Sequence, residues 1–413
     1  MENPKIRFKG FTKDWEQRKL VDIASSFEYG LNAAAKEYDE ENKYIRITDI
    51  DDNTHEFLTD NLTSPDIDLT GADNYKLTKG DILFARTGAS VGKSYIYRIS
   101  DGLVYYAGFL IRARIKEEYD EEFVFQNTLT DRYNKYIAVT SQRSGQPGVN
   151  AQEYSEFEIK VPKKEEQTKI GIYFRNLDHL ITLHQRKCEQ TKNLKKYMLQ
   201  KMFPKNGAKV PEIRFDGFTY DWEQRKLGDV IDDMYNGQTP SRNKSEYWNG
   251  TIKWLSSGEL NRGTVYNSIE TITEEGQKAA NLKIIPMGTF IMAITGLEAA
   301  GTRGNCALLG FDTTLNQSCM ALFPKQEMLT SEFLFQWYRK VGEEYGINYT
   351  QGTKQQSYNA ELIKILPISL PSVVEQRKIS SYLSHLDHLI TLHQRKCDEL
   401  KKMKKYMLQN MFI

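Results

Sequence analysis

Several features that would place a protein in a familiar class are absent from this sequence of 413 residues. None of its four cysteines lies in a CxxC pair, so we predict neither a disulfide framework nor a zinc site. No apolar run approaches the roughly 18 residues of a transmembrane helix. The N-terminal segment MENPKIRFKG also lacks the apolar region of a signal peptide. We therefore expect a cytoplasmic protein with no membrane contact.

An excess of charge of one sign is also absent. The 56 Lys and Arg residues nearly balance 55 Asp and Glu residues, and the formal net charge is +1. Composition therefore gives no global basic signature for a nucleic-acid partner, although a local basic patch remains compatible with that total. The length, with a hydrophobic content of 39%, suits two or three domains with buried cores.

Catalytic motifs are missing as well. FARTGASVGKSY at 84–95 approaches a phosphate-binding loop, but three residues separate Gly88 from Gly92, and that motif requires four. The residues after Lys93 are strand-like, so no helix N-terminus would face a phosphate. No G-x-S-x-G, H-E-x-x-H, EF-hand or methyltransferase motif occurs. We therefore expect a binding protein and not an enzyme, with a glycine turn whose backbone a ligand can approach closely.

What the sequence does contain is a long internal repeat. PKIRFKGFTKDWEQRKL at 4–20 returns as PEIRFDGFTYDWEQRKL at 211–227, and LDHLITLHQRKC at 177–188 returns unchanged at 386–397. The offset of 207 to 209 residues is too long for a solenoid repeat. The pattern indicates a tandem duplication of one unit: a framing segment, a variable block and a long helix.

Between the repeated segments the two copies diverge. The blocks at 21–160 and 228–369 share scattered points, such as KGDILFARTG at 79–88 against MGTFIMAITG at 287–296. Runs such as GDILFAR and AGFLIRARI have strand-like composition. DEEFVFQNTL and SEFLFQWYRK each predict a short helix, with Ser331 as the N-cap of the second. We therefore predict that each variable block is a mixed α/β domain.

Each copy ends in a helix with a heptad seam, in which apolar or semi-polar residues recur at alternating spacings of four and three. The seam residues are Ile170, Phe174, Leu177, Ile181, His184, Cys188 and Thr191 in the first copy, and Ile379, Leu383, Leu386, Ile390, His393, Cys397 and Leu400 in the second. A single apolar stripe needs a partner, and the twin helix is the obvious one. Because the second block begins where the first helix ends, the helices must run antiparallel, with one domain at each end.

The predicted fold class is therefore mixed α/β (α+β), with two globular domains joined by two long antiparallel helices that form a pseudo-two-fold symmetric coiled coil. The predicted boundaries are 1–162 for the first domain, 163–203 for the first helix, 204–212 for a linker, 213–371 for the second domain and 372–413 for the second helix.

Two divergent domains on a repeated frame suit a ligand with matching pseudo-symmetry, and duplex DNA is such a ligand. Arg, Lys, Gln and Asn in matched polar loops suit base edges and phosphates, although each loop alone is also compatible with an ordinary solvated surface. The candidate DNA-binding residues are Arg86, Thr87, Gly88, Lys93, Ser94, Gln142, Arg143, Ser144 and Gln146 in the first domain, and Ser241, Arg242, Asn243, Lys244, Thr295, Arg303, Asn305, Tyr349, Gln351, Thr353, Lys354, Gln355 and Gln356 in the second.

The two helix regions carry the basic charge of the chain. Residues 163–203 contain ten Lys and Arg against four Asp and Glu, and residues 372–413 contain eight against four. Such helices suit phosphates, although many of these charges would also be found on a plain solvated face.

The doubled GFTxDWEQRKL frames, the EQxKI helix starts at 166–170 and 375–379, and the doubled LDHLITLHQRKC together resemble the DNA-specificity subunit of type I restriction-modification systems. The resemblance covers the whole chain. It implies two target-recognition domains, each of which reads one half of a gapped site in double-stranded DNA. It also implies helices that set the gap and dock two methyltransferase subunits, which restriction and translocase subunits then join.

On that resemblance the chain is not catalytic and binds no cofactor or metal, because S-adenosylmethionine, ATP and Mg²⁺ belong to the partner subunits. Two other functions remain open from the residues alone. The chain could be a coiled-coil scaffold for protein partners without DNA specificity, or a nucleotide hydrolase that uses Lys93.

Overall fold

The computed structural model describes residues 3–143, 145–205, 207–298, 301–352 and 356–413. They form two compact units, of which the first comprises Met1–Lys187 with His393–Ile413 and the second Cys188–Leu392. Each unit therefore contains one variable block, the N-terminal part of one long helix and the C-terminal part of the other.

Ten strands and five α-helices begin within the described residues of the first unit. They are β1 (Glu16–Lys19), α1 (Leu20–Ile23), β2 (Ala24–Tyr29), β3 (Ala35–Glu37), β4 (Lys43–Ile45), β5 (Thr63–Pro65), β6 (Asp81–Ala85), β7 (Ser94–Ile96), β8 (Val104–Tyr106), β9 (Leu110–Ile115), α2 (Glu121–Asn127), α3 (Asp131–Thr140), α4 (Ala151–Ser155), β10 (Glu158–Val161) and α5 (Lys164–Lys201), the last of which continues into the second unit.

The main sheet of the first unit has the strand order β2-β9-β6-β7 and is antiparallel. All five residues of β6 are buried, as expected for a central strand whose two faces are covered. The pairs β1-β10, β3-β5 and β4-β8 form separate two-stranded sheets. The strands predicted from GDILFAR and AGFLIRARI are therefore confirmed.

The second unit contains β11 (Glu223–Lys226), β12 (Ile231–Asn236), β13 (Trp248–Leu255), β14 (Thr264–Val265), β15 (Glu270–Ile272), α6 (Glu274–Ala279), β16 (Phe290–Ala293), β17 (Cys306–Leu309), β18 (Thr314–Leu315), β19 (Cys319–Pro324), α7 (Ser331–Asn348), α8 (Ala360–Lys364), β20 (Pro367–Leu370) and α9 (Val373–Met411), the last of which continues into the first unit. Its main sheet has the order β12-β19-β16-β17-β14 and repeats the first four positions of the sheet in the first unit. The mixed α/β class is confirmed.

A close backbone approach marks the same point in both domains. A Cβ added to Gly30 would overlap the carbonyl oxygen of Ala107, and one added to Gly237 would overlap that of Leu315. These glycines directly follow β2 and β12, which are edge strands of the two main sheets. The two domains therefore share the backbone conformation at this point, although their sequences have diverged.

One part of the secondary-structure prediction was wrong. The helix predicted from SEFLFQWYRK is α7, which has 18 residues and is not short. Its N-cap is Thr330, whose side chain accepts a hydrogen bond from the amide of Phe333, and Ser331 is the first helical residue. Its counterpart α2 has 7 residues and is capped in the same way by Asp120.

The repeated frame explains the EQxKI motif at the start of each long helix. Glu166 accepts two hydrogen bonds from the guanidinium of Arg7, at 2.9 and 2.8 Å, and its side chain is 2% exposed. Gln167 accepts a hydrogen bond from the amide of Asp120 and donates one to the carbonyl of Pro162. Hydrogen bonds thus connect the framing segment and the variable block to the first turn of the long helix.

The second unit repeats these contacts with its own residues. Arg214 donates to Glu375 at 2.7 and 2.8 Å, and Gln376 links the amide of Thr330 to the carbonyl of Pro371. Because a buried carboxylate needs a charged hydrogen-bond partner, the motif and the frame occur together.

The long helices pack antiparallel within each unit, as predicted. In the first unit His184 Nδ1 lies 3.0 Å from His393 Nδ1, and Lys404 pairs with Asp178 at 2.6 Å. In the second unit the Cys188 thiol faces the carbonyl of Ile390 at 3.7 Å. Ten of the fourteen seam residues are buried, and His184, Thr191, Ile390 and His393 are partly exposed.

Each helix end closes the core of the unit that contains it. Phe412 packs on Phe123 and Phe174, with ring centroids 5.4 and 5.6 Å apart. At the equivalent position in the second unit, Phe203 packs on Phe333 at 5.4 Å. The MF pair that ends each copy of the repeat therefore belongs to a domain core.

Candidate nucleic-acid interface

Two loops predicted to bind DNA meet at one edge of the first domain. Thr87 forms a β-bridge with Gly148, and the amide of Val149 donates to the carbonyl of Arg86 at 2.9 Å. A Cβ at Gly88 would lie 3.0 Å from the side-chain amide nitrogen of Gln146. The structure thus brings together four predicted residues: Arg86, Thr87, Gly88 and Gln146.

Local sequence holds these loops in place. Gly88 has φ +73°, a left-handed conformation that favours glycine. The second loop ends at Asn150, which caps α4: its side chain accepts from the amide of Glu153, and the Glu153 carboxylate accepts from the amide of Asn150. Asn359 likewise caps α8 with its side chain, so the Asn-Ala pair at the end of both polar loops is the N-terminus of a short helix.

Arg86 is the main cation of this edge. Its guanidinium lies 4.9 Å above the ring of Tyr29, a cation–π contact. No carboxylate pairs with Arg86 in the part of the chain that the structure describes. Its donors therefore remain available to a base edge or a phosphate.

Two aromatic side chains beside Arg86 are not among the residues predicted from the sequence. Tyr29 is 43% exposed and supports the guanidinium. Phe109 is 60% exposed, and its carbonyl accepts from the amide of Arg86 at 3.0 Å. Exposed rings are suited to contact bases or thymine methyl groups. Nothing in the sequence distinguishes them from the many buried aromatic residues of this chain.

The other predicted residues of the first domain have different surroundings. Gln142 and Arg143 are exposed, and Arg143 is paired with Glu153 and donates to the carbonyl of Thr140. Ser144 lies outside the described residues. Ser94 is fully buried and hydrogen-bonded to Thr128, so it belongs to the core and not to the surface.

Lys93 anchors a neighbouring loop. Its ammonium donates to the carbonyl of Ile50 at 3.0 Å and pairs with Asp52, and its side chain is 11% exposed. Ser94 is the first residue of β7, and Lys93 directly precedes that strand. Neither side chain extends the edge formed by Arg86 and Gln146.

The resemblance of residues 84–95 to a phosphate-binding loop does not extend to its hydrogen bonds. The amides of Gly88 and Gly92 donate to the carbonyls of Pro147 and Ala85, each at 3.0 Å. The Gly92 carbonyl accepts from Tyr133, and its amide also donates to the hydroxyl of Tyr154. Because a phosphate cradle needs free backbone amides, this turn serves to connect strands.

The second domain places two matching loops together. Thr295 forms a β-bridge with Ser357, and the amide of Tyr358 donates to the carbonyl of Ile294 at 2.8 Å. Gly296 has φ +74°, as Gly88 has +73° in the first domain. The alignment of KGDILFARTG with MGTFIMAITG is thus reproduced in three dimensions.

Different side chains occupy this edge in the second domain. Gln351 is exposed and exchanges two backbone hydrogen bonds with Ser357. Arg303 donates to the carbonyl of Glu298 and lies 3.4 Å from the Gln356 side-chain oxygen. Tyr349 follows α7 and packs on Tyr345, and Asn305 precedes β17. Thr353, Lys354 and Gln355 lie outside the described residues.

The segment of Ser241, Arg242, Asn243 and Lys244 is exposed and forms contacts of its own. The Arg242 guanidinium stacks on Trp248 at 3.7 Å and pairs with Glu270. That pairing raises the pKa of Arg242 and lowers that of the Glu270 carboxyl. In the described part of the chain these side chains contact β13, β15 and the turn before β13, and not the loop of Thr295.

Gln317 is a further exposed residue that sequence analysis missed. It lies in the turn before β19, hydrogen-bonded to Thr239, and the carbonyl of the next residue, Ser318, accepts from the amide of Ile294. This turn corresponds to the turn of Phe109 in the first domain. Its alignment could not be read from the sequence, because the two turns share no residue type.

These edges are suited to recognition of a polar ligand. Among the described residues no group of three or more His, Cys, Asp and Glu could hold a metal ion, and all four cysteines are buried. No helix of the described chain is long and apolar enough to cross a membrane.

Comparison with known proteins bears on both halves of the chain. A family model described as the type I restriction modification DNA specificity domain matches residues 12–193 and again residues 220–402. The MjaIX specificity subunit of Methanocaldococcus jannaschii is 31% identical over 197 residues, which cover 47% of this chain and 44% of that protein. The EcoR124I/EcoR124II specificity subunit of Escherichia coli is 29% identical, and the match covers 41% of its length. This chain thus spans less than half of the length of these two relatives.

Other matches extend over nearly the full length. The putative MjaX specificity subunit of M. jannaschii is 24% identical over 413 aligned residues, with 96% of this chain and 92% of that protein covered. The crystal structure of the type I restriction-modification S subunit from M. genitalium matches with a TM-score of 0.67 at 13% identity. It covers 100% of this chain and 99% of that one, and this likeness concerns the fold alone. Because the family model matches twice and covers most of the chain, the protein belongs to the type I restriction modification DNA specificity domain family.

Proposed function

We propose that the protein is the specificity subunit of a type I restriction-modification complex and reads a two-part, gapped site in double-stranded DNA. The observation that supports this most directly is the matched edge of the two domains. The same pair of loops meets around Gly88 and around Gly296, yet the side chains at the two edges differ. One scaffold with two sets of side chains suits two different half-sites.

In this proposal Arg86, Gln146 and the ring of Phe109 contact the first half-site, and Gln351, Gln356 and Gln317 contact the second. Arg86 suits a guanine edge, and the glutamines suit adenine. We assign the remaining exposed candidates, among them Gln142 and Asn243, to supporting base or phosphate contacts.

The long helices would set the gap and dock two methyltransferase subunits, which restriction and translocase subunits then join. Exposed apolar side chains at equivalent positions support such docking: Leu194 and Tyr197 on α5, and Met403 and Tyr406 on α9. Exposed apolar positions that recur in both copies indicate a repeated protein interface. The chain itself would catalyse nothing, with S-adenosylmethionine, ATP and Mg²⁺ bound by its partners in the cytoplasm.

The decisive experiment is a binding selection from random duplex DNA with the methyltransferase subunit co-expressed. We expect a motif of two short parts separated by a fixed gap. Exchange of residues 228–369 for the block of another family member should change one part only. No enrichment from a folded complex would instead favour the coiled-coil scaffold.

Single substitutions test the assignment of the edges. Arg86→Ala should relax specificity at one position of one half-site and cost about 1–3 kcal/mol of discrimination there. Lys79→Ala is the matched control, because Lys79 precedes β6 and Arg86 follows it, at opposite ends of one strand. Gln351→Ala should affect the other half-site. If Arg86→Ala altered both parts of the motif, the assignment of one edge to each half-site would be wrong.

A further inference from the structure

A cationic cavity lies in the second unit, outside the loops described above. Its volume is about 420 Å³, and it opens between α7 and the two long helices. The charged residues that line it are Lys192, Lys195 and Lys196 from α5, Arg339 and Lys340 from α7, and Asp387 from α9. Five cations therefore face one carboxylate.

The two innermost cations share that carboxylate. Lys195 pairs with Asp387, and Arg339 donates to the other oxygen of the same carboxylate at 2.7 Å. The side chain of Lys195 is 6% exposed. Burial, followed by the charge of Arg339, lowers the pKa of Lys195 to about 8. The single carboxylate of Asp387 therefore does not fully compensate the desolvation of the buried cations.

The remaining cations add to this imbalance. The ammonium of Lys340 donates to the carbonyl of Pro204 at 2.8 Å, and burial lowers its pKa. In the described part of the chain, no carboxylate pairs with Lys192, Lys196 or Lys340. An anion that entered the cavity would find an arginine fork and lysine ammonium groups already positioned by packed helices.

The first unit provides an internal comparison. The equivalent cavity has a volume of about 770 Å³ and contains Lys401, Lys404 and Lys405, which correspond to the three lysines of α5. There Asp178 pairs with Lys404 at 2.6 Å and accepts a neutral hydrogen bond from Gln126 at 3.0 Å.

Two substitutions and two added carboxylates distinguish the first cavity. By alignment of FVFQ in α2 with FLFQ in α7, Leu129 and Thr130 stand where the second unit has Arg339 and Lys340. Asp52, Asp131 and Lys93 also line the first cavity. Four lysines there face three carboxylates, whereas five cations face one carboxylate in the second unit, so the large excess of cations is a property of the second unit.

We propose that the cavity of the second unit binds the phosphate groups of a small free ligand, such as an inorganic polyphosphate or the triphosphate of a nucleotide. Arginine and lysine in a partly desolvated cavity are the usual partners of phosphate oxygens. Because Lys195 is buried deep in the cavity, its position favours a terminal phosphate over a backbone phosphate of DNA. A backbone phosphate of duplex DNA is flanked by sugars and further phosphates, whereas a terminal phosphate can enter a cavity. The proposal does not depend on the function of the loops.

The test is titration of the full chain with sodium tripolyphosphate, followed by calorimetry and phosphorus NMR, at an ionic strength held constant with chloride. The key variant is Arg339→Leu with Lys340→Thr, which carries the residues of the first unit. Because this variant removes charge-assisted hydrogen bonds to the phosphate oxygens, we expect it to bind at least about 10-fold more weakly. Lys405→Ala in the first unit is the matched control and should bind as the wild type does.

Equal affinity of the variant and the wild type, or equal weakening by Lys405→Ala, would overturn the proposal. If the double variant did not fold, Lys196→Ala at the cavity rim replaces it and should also weaken binding. A second arm tests the DNA backbone as the source. The slope of the logarithm of duplex affinity against the logarithm of salt concentration reports the number of phosphates that the protein contacts. If the double variant lowered this slope by the equivalent of one phosphate or more, DNA would be the occupant and the free-ligand proposal would be wrong.

Discussion

Removal of the guanidinium that neutralises Glu375 should open the start of α9. Arg214 holds this carboxylate by two hydrogen bonds of 2.7 and 2.8 Å, and the Glu375 side chain is 1% exposed. Arg214→Ala would leave a buried carboxylate without its charged partner. Breaking a buried pair from one side costs about 3–5 kcal/mol, because the remaining charge is neither solvated nor paired.

Hydrogen exchange of the backbone amides at 373–380 is the appropriate measurement. The chain has two compact units, so a single global free energy of unfolding is not well defined, whereas local opening is. A loss of 3–5 kcal/mol corresponds to exchange that is about 100- to 4,000-fold faster at these amides. The same pair in the first unit, Arg7 with Glu166, provides the control. Arg7→Ala should accelerate exchange at 165–172 and leave 373–380 unchanged.

The double variant Arg214→Met with Glu375→Leu separates charge from packing. It removes both ions and keeps most of the volume, so exchange at the start of α9 should return close to the wild-type rate. If Arg214→Ala changed exchange by less than about 10-fold, the pair would behave like an exposed surface salt bridge. The reasoning from burial would then be refuted.

Two further predictions concern the first unit. Burial, followed by the charge of His393, lowers the pKa of His184, whose Nδ1 lies 3.0 Å from that of His393. The folded state therefore binds this proton less readily than the unfolded state, so stability is full above about pH 6.5 and falls below it. His184→Leu should reduce the pH dependence of the thermal midpoint of the first unit between pH 7.5 and 5.5, and an unchanged pH dependence would contradict this. The Cβ of Gly30→Ala would overlap the Ala107 carbonyl, so this substitution should lower the free energy of unfolding of the first unit by about 1–3 kcal/mol. Gly145→Ala, with open space around it, should leave the midpoint unchanged.

The repeated helices could be predicted closely because their information is local. A spacing of three and four places Phe174, Leu177 and Ile181 on one stripe, and all three are buried. Helix α5 runs from Lys164 to Lys201, within two residues of the limits that the periodic pattern indicates. The exact domain boundaries proposed from the sequence stay a prediction.

The candidate interface was only partly predictable, since residue type does not specify exposure. Arg86 and Gln146 were predicted because polar residues recur in matched loops, and the structure shows that these loops meet. Ser94 looked equally suitable, but it begins a buried strand and its hydroxyl is satisfied by Thr128. Tyr29 and Phe109 were missed, because their exposure depends on where β2 and β9 end relative to Arg86.

The sequence by itself determined the duplicated plan, the paired helices and the family, because identical segments and a heptad period are properties of neighbouring residues. It did not determine the charge environment of those helices. Lys195 and Lys404 occupy identical positions in the repeat. Lys195 shares the carboxylate of Asp387 with Arg339, whereas Lys404 pairs with Asp178, which no arginine of the described chain also pairs with. Only the tertiary structure decided this, because the free energy of a charge depends on solvent and neighbours brought together from distant parts of the chain.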